Sequence, residues 1–213
     1  MEGDANTASE RTKAFDLERT ISLSDGIFAF ALTLLVLSIS VPDIPFSSSS
    51  AELWSAIKDR QNELVSYVVS FIVIGGFWIR HHRFCGELKA VDGTFLVINL
   101  AYLATIAFIP YPTQLLGDFS NSAAFAFYAA AISASTLAAA ALNEHSARSG
   151  LFSQPRTREQ TKSGRIRGYS VTAGFLISIP VVLLSGDLWL GYLCWFVAPS
   201  LPRFMRLETS RKH

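Results

Sequence analysis

The side chain most able to do chemistry is Asp25, which lies about one turn inside a long apolar segment that starts at residue 21. A carboxylate at mid-bilayer costs on the order of 2.5–3.5 kcal/mol, so it normally faces protein or water. Such a carboxylate requires a neighbouring cation or several hydrogen-bond donors. We therefore expect Asp25 to join a polar network in which a histidine or an arginine is its partner.

A second candidate is the pair His81 and His82, near the end of the next apolar segment. Neutral imidazole is a common ligand of metals and haem. Adjacent histidines point in different directions on a helix, however, and only Cys85 and Glu87, in a charged connector, could add a ligand. Interfacial hydrogen bonding is the expected role of the pair, without a metal or a cofactor.

Sequence motifs for catalysis are absent. The chain has no phosphate-binding glycine loop, nucleophile elbow or zinc-protease pattern. We assign no catalytic residue, and an enzyme using His81 and His82 is the weakest alternative.

The composition predicts that these residues belong to helices that cross a membrane. Half of the residues are hydrophobic, 16% are charged, and the mean hydropathy is +0.34. These values are typical of an all-α integral membrane protein. The predicted transmembrane helices are 21–41, 64–79, 93–109, 123–142, 169–184 and 188–201. Residues 1–20 and 202–213 are predicted to be tails around one membrane domain, with no cleaved signal peptide.

The basic residues predict the orientation of the six helices. Of 18 lysines and arginines, only Lys58 and Arg60 lie in the first, third and fifth connections. The others lie in the two tails and in the second and fourth connections, so both termini are predicted to be cytoplasmic. Because the formal net charge is only +1, the sequence gives no indication of nucleic-acid binding.

Helical spacing places five residues of the first segment on one stripe: Gly26, Phe30, Thr33, Leu37 and Val41. One interpretation is a seam for packing against another helix, since small and polar residues often serve close association. The other interpretation is a pore lining, in which several copies of the helix surround an axis. In that case Thr33 alone offers a side-chain oxygen to an ion.

The first three segments contain a set of short motifs in a fixed order. The first is Arg19-x-x-x-Leu23-Ser24-Asp25-Gly26, followed by an apolar helix. The others are Ser70 to Gly75, Phe77-Trp78-Ile79-Arg80-His81-His82, Asn99-Leu100, and Ile109-Pro110-Tyr111-Pro112-Thr113. In these motifs the chain resembles the prokaryotic members of the transmembrane protein 175 potassium channel family, whereas the last three segments match that family in hydropathy alone.

The resemblance implies a homotetramer whose first helices line a central pore, with potassium as the permeant ion. The pore constriction and selectivity residues carried over are Phe30, Thr33 and Leu37. Phe30 stands where the family usually has isoleucine or leucine, and Leu23 stands where its motif has phenylalanine. The structural polar network implied for the cytoplasmic end of this helix comprises Arg19, Ser24, Asp25, Gly26, Trp78, His81, His82 and Asn99.

The leading hypothesis is thus a passive potassium-selective or potassium-preferring leak channel with a hydrophobic gate, in the cell membrane of a prokaryote. The expected partners are identical subunits, the lipid bilayer and potassium ions. An ion-coupled secondary transporter is the alternative. Such a transporter would normally show broken helices or acidic proton carriers at mid-membrane, and the third to sixth segments contain no such carriers.

Overall fold

The computed structural model describes residues 2–154 and 156–197, and within these ranges the regular structure is helical. The long helices form because nearly continuous apolar runs bury backbone polar groups in intrahelical hydrogen bonds. The helices are α1 (Glu2–Leu34), α2 (Ser50–Asp59), α3 (Gln61–Gly86), α4 (Gly93–Phe108), α5 (Pro110–Phe119), α6 (Ser122–Arg148), α7 (Arg158–Ser185) and α8 (Leu188–Val197).

Five helical stretches of the described chain are long and apolar enough to cross a membrane: Asp16–Ser38, Gln61–Gly86, Gly93–Phe119, Ser122–Arg148 and Arg158–Ser185. They correspond to the first five predicted segments, so the prediction of a multi-pass helical protein is confirmed. The sixth predicted segment corresponds to α8, which has ten residues. Residues 198–201 of that segment and the tail 202–213 lie outside the described residues.

The first predicted segment has different limits in the structure. Helix α1 begins at Glu2, so the polar residues before position 21 are helical as well. At its other end α1 passes into a short 3₁₀ helix, Leu35–Ser38, and Ile39 is extended. Val41 precedes Pro42, and a residue before proline is disfavoured in the helical conformation. The prediction that Val41 continues the helical stripe is therefore wrong.

The third predicted segment was too short. Helix α4 ends at Phe108, and α5 starts at Pro110 and continues to Phe119. Proline fits the first turn of a helix, where no intrahelical N–H bond is required, so Pro110 breaks the segment without ending it. Together α4 and α5 give a 27-residue stretch with a break near its centre.

Helix α2 was missed by the sequence analysis, although its N-terminus carries a clear signal. The hydroxyl of Ser49 accepts a hydrogen bond from the backbone N–H of Glu52, and the Glu52 carboxylate accepts one from the N–H of Ser49. This reciprocal capping box stabilises the first turn of a short helix. Its apolar residues alternate with polar and charged ones over only ten positions, so a scan for long apolar windows does not detect it.

The packing around α1 determines where the candidate site lies. Helix α1 packs against α3 and α4, while α6 packs against α4, α5 and α7. Aromatic rings fill the space between α1, α3 and α4: Tyr102 lies with its ring centroid 6.1 Å from Phe28 and 5.2 Å from His81. These contacts fix the rotation of α1 about its own axis, and hence which residues it turns outwards.

Candidate pore helix and its polar support

Helix α1 and the following 3₁₀ turn have one face buried within the subunit. Its residues lie against α3, α4 and α5 and are almost inaccessible: Thr20, Ser24, Phe28, Ala31, Leu35 and Ser38. The hydroxyls on this face are bonded to the helix's own carbonyls; Ser38, for example, donates to the carbonyl of Leu35 at 2.7 Å. The face combines close apolar packing with internally satisfied polar groups.

The opposite face carries the residues that the sequence indicated as pore-lining. Phe30 is 57% exposed and Leu37 is 70% exposed, and Thr33 is exposed between them. A Cβ added at Gly26 would meet nothing within 4 Å. Among the residues that the structure describes, this stripe therefore makes no packing seam, and it faces away from the rest of the subunit.

The Thr33 hydroxyl has a defined orientation. It donates a hydrogen bond to the backbone carbonyl of Phe30 at 2.8 Å. Because this bond uses its only proton, the oxygen retains acceptor capacity on the exposed side of the helix. That arrangement suits a cation, which requires oxygen lone pairs and not a donor.

Asp25 is half-buried beside α3, where its Oδ1 accepts a hydrogen bond of 2.9 Å from the indole nitrogen of Trp78. The preceding residue, Ser24, is buried. Its hydroxyl accepts a hydrogen bond of 3.2 Å from the Asn99 amide and donates one to the carbonyl of Thr20. The polar residues predicted to lie at one depth thus tie α1 to both α3 and α4. The amide oxygen of Asn99 is buried without a hydrogen-bond partner in the described chain.

The two histidines lie in different environments. His81 is buried, with its Nε2 atom 3.4 Å from the Cys85 sulfur and its ring against Phe28 and Tyr102. His82 is exposed, and its ring lies 5.6 Å from that of Trp78. The donor to Asp25 found in the described contacts is therefore an indole and not a histidine. Arg19 lies exposed on α1, one turn before this network.

No metal cluster accompanies the histidine pair. Across residues 2–154 and 156–197, no group of three or more histidine, cysteine, aspartate or glutamate residues is placed to hold a metal ion. The contacts of His81 are those of a packed aromatic side chain.

A buried chain of hydroxyls, which the sequence analysis missed, joins α3, α5 and α6. The Thr113 hydroxyl is 2.8 Å from that of Ser70, and the Ser70 hydroxyl is 3.0 Å from the phenol of Tyr128. Thr113 also lies 2.9 Å from the carbonyl of Ile109, at the break between α4 and α5. Hydrogen bonds of this kind hold transmembrane helices together. The Ser and Thr residues were visible in the sequence, but their pairing depends on helix rotation.

Glu63 supports the other end of α1. Its carboxylate accepts a bond of 2.6 Å from the backbone N–H of Ser40 and one of 2.9 Å from the Arg60 guanidinium. Gly117 of α5 lies directly against Glu63, since a Cβ at Gly117 would be only 3.0 Å from the Glu63 Cα atom. The exit of the chain from α1 is thus attached to the α3–α5 pair.

The second and fourth connections meet on one side of the molecule. Leu88 and Phe152 form an isolated antiparallel bridge, and the Arg156 guanidinium lies over the Phe152 ring and pairs with Glu87. Nearby, Asp92 caps α4 by accepting from the N–H of Phe95 at 2.7 Å.

Asp92 also lies 2.9 Å from the ring nitrogen of His145 at the end of α6. The N–H of Phe95 holds the pKa of Asp92 below its usual value against the opposing effect of burial, and the His145 ring lowers this pKa further.

Taken together, five long apolar helices with polar groups paired between them define a multi-pass α-helical membrane protein. Residues 19–110 match the family described as the endosomal/lysosomal potassium channel TMEM175. The chain is 34% identical over 183 residues to a protein named as a potassium channel from Streptomyces collinus, with 80% of this chain and 87% of that relative covered. The chain belongs to the TMEM175 family.

Solved structures give the same fold. A TMEM175 homologue from Chamaesiphon minutus, described as a lysosomal potassium-selective channel homologue, superposes with a TM-score of 0.73 at 25% identity, covering 86% of this chain and 94% of that one. The potassium channel MtTMEM175 superposes with a TM-score of 0.62 at 20% identity, covering 90% and 93% of the two chains. The match extends well beyond the first three segments, where the sequence motifs lie.

Proposed function

We propose that this chain is the subunit of a homotetrameric potassium channel that conducts passively and prefers potassium. The observation that carries the proposal is the division of α1 into two faces. One face is packed inside the subunit, and the other turns Phe30, Thr33 and Leu37 outwards. Four copies around an axis would turn this second face into stacked rings, since only symmetry can close a ring from one stripe per subunit.

In the proposed pore, the rings of Phe30 and Leu37 form apolar constrictions that favour dewetting, while Thr33 provides oxygens between them. The outer two rings are about 12 Å apart along the axis, at 1.5 Å per residue to the end of α1 and 2.0 Å per residue in the 3₁₀ turn that follows. An ion passing Phe30 loses part of its hydration shell, and the Thr33 oxygens replace part of it. Potassium is favoured because it releases its water more readily than sodium does. Phe30 gives a bulkier ring than the isoleucine or leucine usual in the family.

The polar network has a structural role in this proposal. Asp25 and Ser24 attach α1 to α3 and α4 through Trp78 and Asn99, at the end opposite the Glu63 contact with Ser40. The helix is thus anchored at both ends, so the Phe30 and Leu37 rings keep a fixed rotation and spacing.

We place both termini in the cytoplasm. The distribution of basic residues favours that orientation. It agrees with the contact between the second and fourth connections, which must share one side of the membrane in a six-span chain.

The break at Pro110 favours a coupled transporter, because broken helices often form substrate sites. The hydroxyls of Ser70, Thr113 and Tyr128 at this level are bonded to one another and to the backbone. Such paired hydroxyls supply no acidic proton carrier, so we favour the channel.

The test is cation uptake into liposomes that contain the purified protein. With only a potassium gradient present, the channel proposal expects potassium to enter, and to enter faster than sodium does under a matched sodium gradient. Phe30→Ala should raise the rate by widening the constriction, whereas Phe127→Ala, an exposed phenylalanine on α6, should leave it unchanged. Uptake that requires an imposed proton or sodium gradient would favour the transporter instead.

A further inference from the structure

The exposed face of α7 has a charge pattern that the pore proposal does not use. Three basic residues follow one another at helical spacing on this face: Arg158, Lys162 and Arg165. Tyr169 comes next along the same stripe and is 54% exposed. Beyond it the exposed residues are apolar, and they include Ala173, Leu176 and Ile177.

The position of Tyr169 along α7 sets the depth of these cations. From Tyr169 to the end of α7 at Ser185 is about 24 Å at 1.5 Å per residue, most of the roughly 30 Å hydrocarbon core. Tyrosine is enriched at the boundary between hydrocarbon and headgroups. Arg165 then lies about 6 Å outside that boundary, at the level of the lipid phosphates. Lys162 lies about 10 Å and Arg158 about 16 Å outside it, over the membrane surface.

The charge of this face remains positive after its acidic neighbours are considered. Glu144 of α6 is engaged by Arg165, with a contact of 2.6 Å to its Nε, and by Arg148 at 2.7 Å. Glu159 is the other exposed carboxylate next to the stripe. In the part of the chain that the structure describes, no ion pair is formed by Arg158 or Lys162. Both side chains therefore retain charge to offer an anion.

An apolar groove continues from the cations towards the membrane centre. It is open to the surroundings, has a volume of about 500 Å³, and is lined by Lys162, Arg165, Ile166, Tyr169, Ser170 and Ala173. The small side chain of Ala173 between larger neighbours leaves room for an acyl chain beside α7. A free phosphate ion has no apolar part and would gain no contact from this half of the groove.

We infer that this face of α7 binds a phospholipid with a net negative headgroup in the cytoplasmic leaflet. Arg165 contacts the headgroup, Lys162 and Arg158 attract its charge from above the membrane surface, Tyr169 lies at the glycerol level, and one acyl chain follows Ala173 and Ile177. The assignment of the leaflet rests on the orientation given in the proposed function. In the described chain α7 packs mainly against α6 and α8, whereas α1 packs mainly against α3 and α4, so the lipid lies away from the proposed pore stripe.

The test is native mass spectrometry of the purified, delipidated full chain with phosphatidylglycerol or phosphatidylcholine of identical acyl chains. We expect a preference for phosphatidylglycerol, because a surface cation contributes roughly a fivefold preference for an anionic surface. Arg158→Gln with Lys162→Gln should reduce the preference, by up to about fivefold for Lys162 and by less for Arg158, which lies farther from the membrane surface. The matched control is Arg83→Gln with Lys89→Gln, two exposed cations elsewhere on the predicted cytoplasmic side, which should keep it.

A second variant tests the apolar half of the site. Ala173→Trp fills the groove without changing any charge, so binding of both lipids at this site should fall. Equal binding of the two lipids by the unaltered protein, or an unchanged preference in the double variant, would overturn the inference. Full displacement of phosphatidylglycerol by equimolar inorganic phosphate would also overturn it, since it would indicate an anion site only.

The lipid test is independent of conduction. A protein that binds phosphatidylglycerol preferentially but passes no potassium would contradict the channel proposal alone. A protein that conducts potassium and binds both lipids equally would contradict the lipid inference alone.

Discussion

The indole nitrogen of Trp78 donates a 2.9 Å hydrogen bond to the Asp25 carboxylate, and this bond joins α3 to α1 through two residues that are 53 positions apart in the chain. Asp25 follows Ser24, whose hydroxyl binds Asn99 of the next helix. One turn of α1 is thus attached to two neighbours by polar contacts. An intramembrane carboxylate in this setting is part of the helix packing.

Replacement of Trp78 by phenylalanine removes the N–H donor and keeps an aromatic ring. Hydrogen bonds to charged groups contribute about 1.5–3 kcal/mol, so we expect the melting temperature in detergent to fall by roughly 3 to 12 °C. The control is Trp54→Phe, on the exposed surface of α2, which should change it little.

A double-mutant cycle identifies the partner in this prediction. Asp25→Ala alone should lower the yield of assembled protein, and combining it with Trp78→Phe should cost less than the sum of the two single effects. Additive effects would mean that the bond does not contribute to assembly.

Replacement of Gly117 by alanine tests the contact between α5 and α3. The new Cβ would lie 3.0 Å from the Cα atom of Glu63, a backbone atom that cannot move aside without shifting the helix. We expect a loss of thermal stability, because overpacking costs typically about 1–3 kcal/mol. Gly76→Ala is the matched control, since its Cβ would meet nothing within 4 Å and alanine favours the helix. Equal melting temperatures for the two variants would show that α3 and α5 are farther apart at Gly117 than the structure has them.

The contact between Asp92 and His145 predicts a dependence of stability on pH. Because the folded state lowers the pKa of Asp92, this residue stabilises the fold above its unfolded pKa of about 3.9. That stabilisation is lost as the pH falls through the lower, folded pKa. Asp92→Ala should therefore lower the melting temperature at pH 7, by loss of a cap worth about 1 kcal/mol and of the His145 contact.

The measurement for Asp92 is the melting temperature of both proteins between pH 7 and pH 3. The difference between them should narrow at the acid end of this range. A difference that stays constant would assign the effect of the substitution to the local helix end and not to the carboxylate charge.

The sequence predicted the membrane class and the family, and it located the residues of the polar network at one depth. It could not predict that Trp78, and not His81, is the donor to Asp25, because that choice depends on the rotation of α3. The same limit hid the pairing of Ser70 with Thr113 and Tyr128. The continuation past Pro110 was missed because proline also fits the first turn of a new helix.

Thr33 is the residue through which we expect selectivity to act. Thr33→Val keeps the shape of the side chain and removes the oxygen, so the preference for potassium over sodium should fall while assembly is retained. Thr105→Val is the matched control, since its hydroxyl makes the same kind of bond, 2.6 Å to the carbonyl of Tyr102, on α4. The measurement is the reversal potential with potassium and sodium on opposite sides of a bilayer. An unchanged reversal potential in Thr33→Val would remove this oxygen from the selectivity mechanism.

The most direct test of the central claim is whether a water-soluble thiol reagent blocks the potassium current when a cysteine replaces Leu37. In a background with Cys85 and Cys194 replaced by alanine, Leu37→Cys is exposed to a membrane-impermeant thiosulfonate during recording. Leu184→Cys, at a position that is 88% exposed on α7, is the control. If four copies of α1 line the pore, the current of Leu37→Cys falls on modification and that of Leu184→Cys does not. A Leu37→Cys channel that is fully labelled, as judged by mass, and still conducts normally would contradict the account.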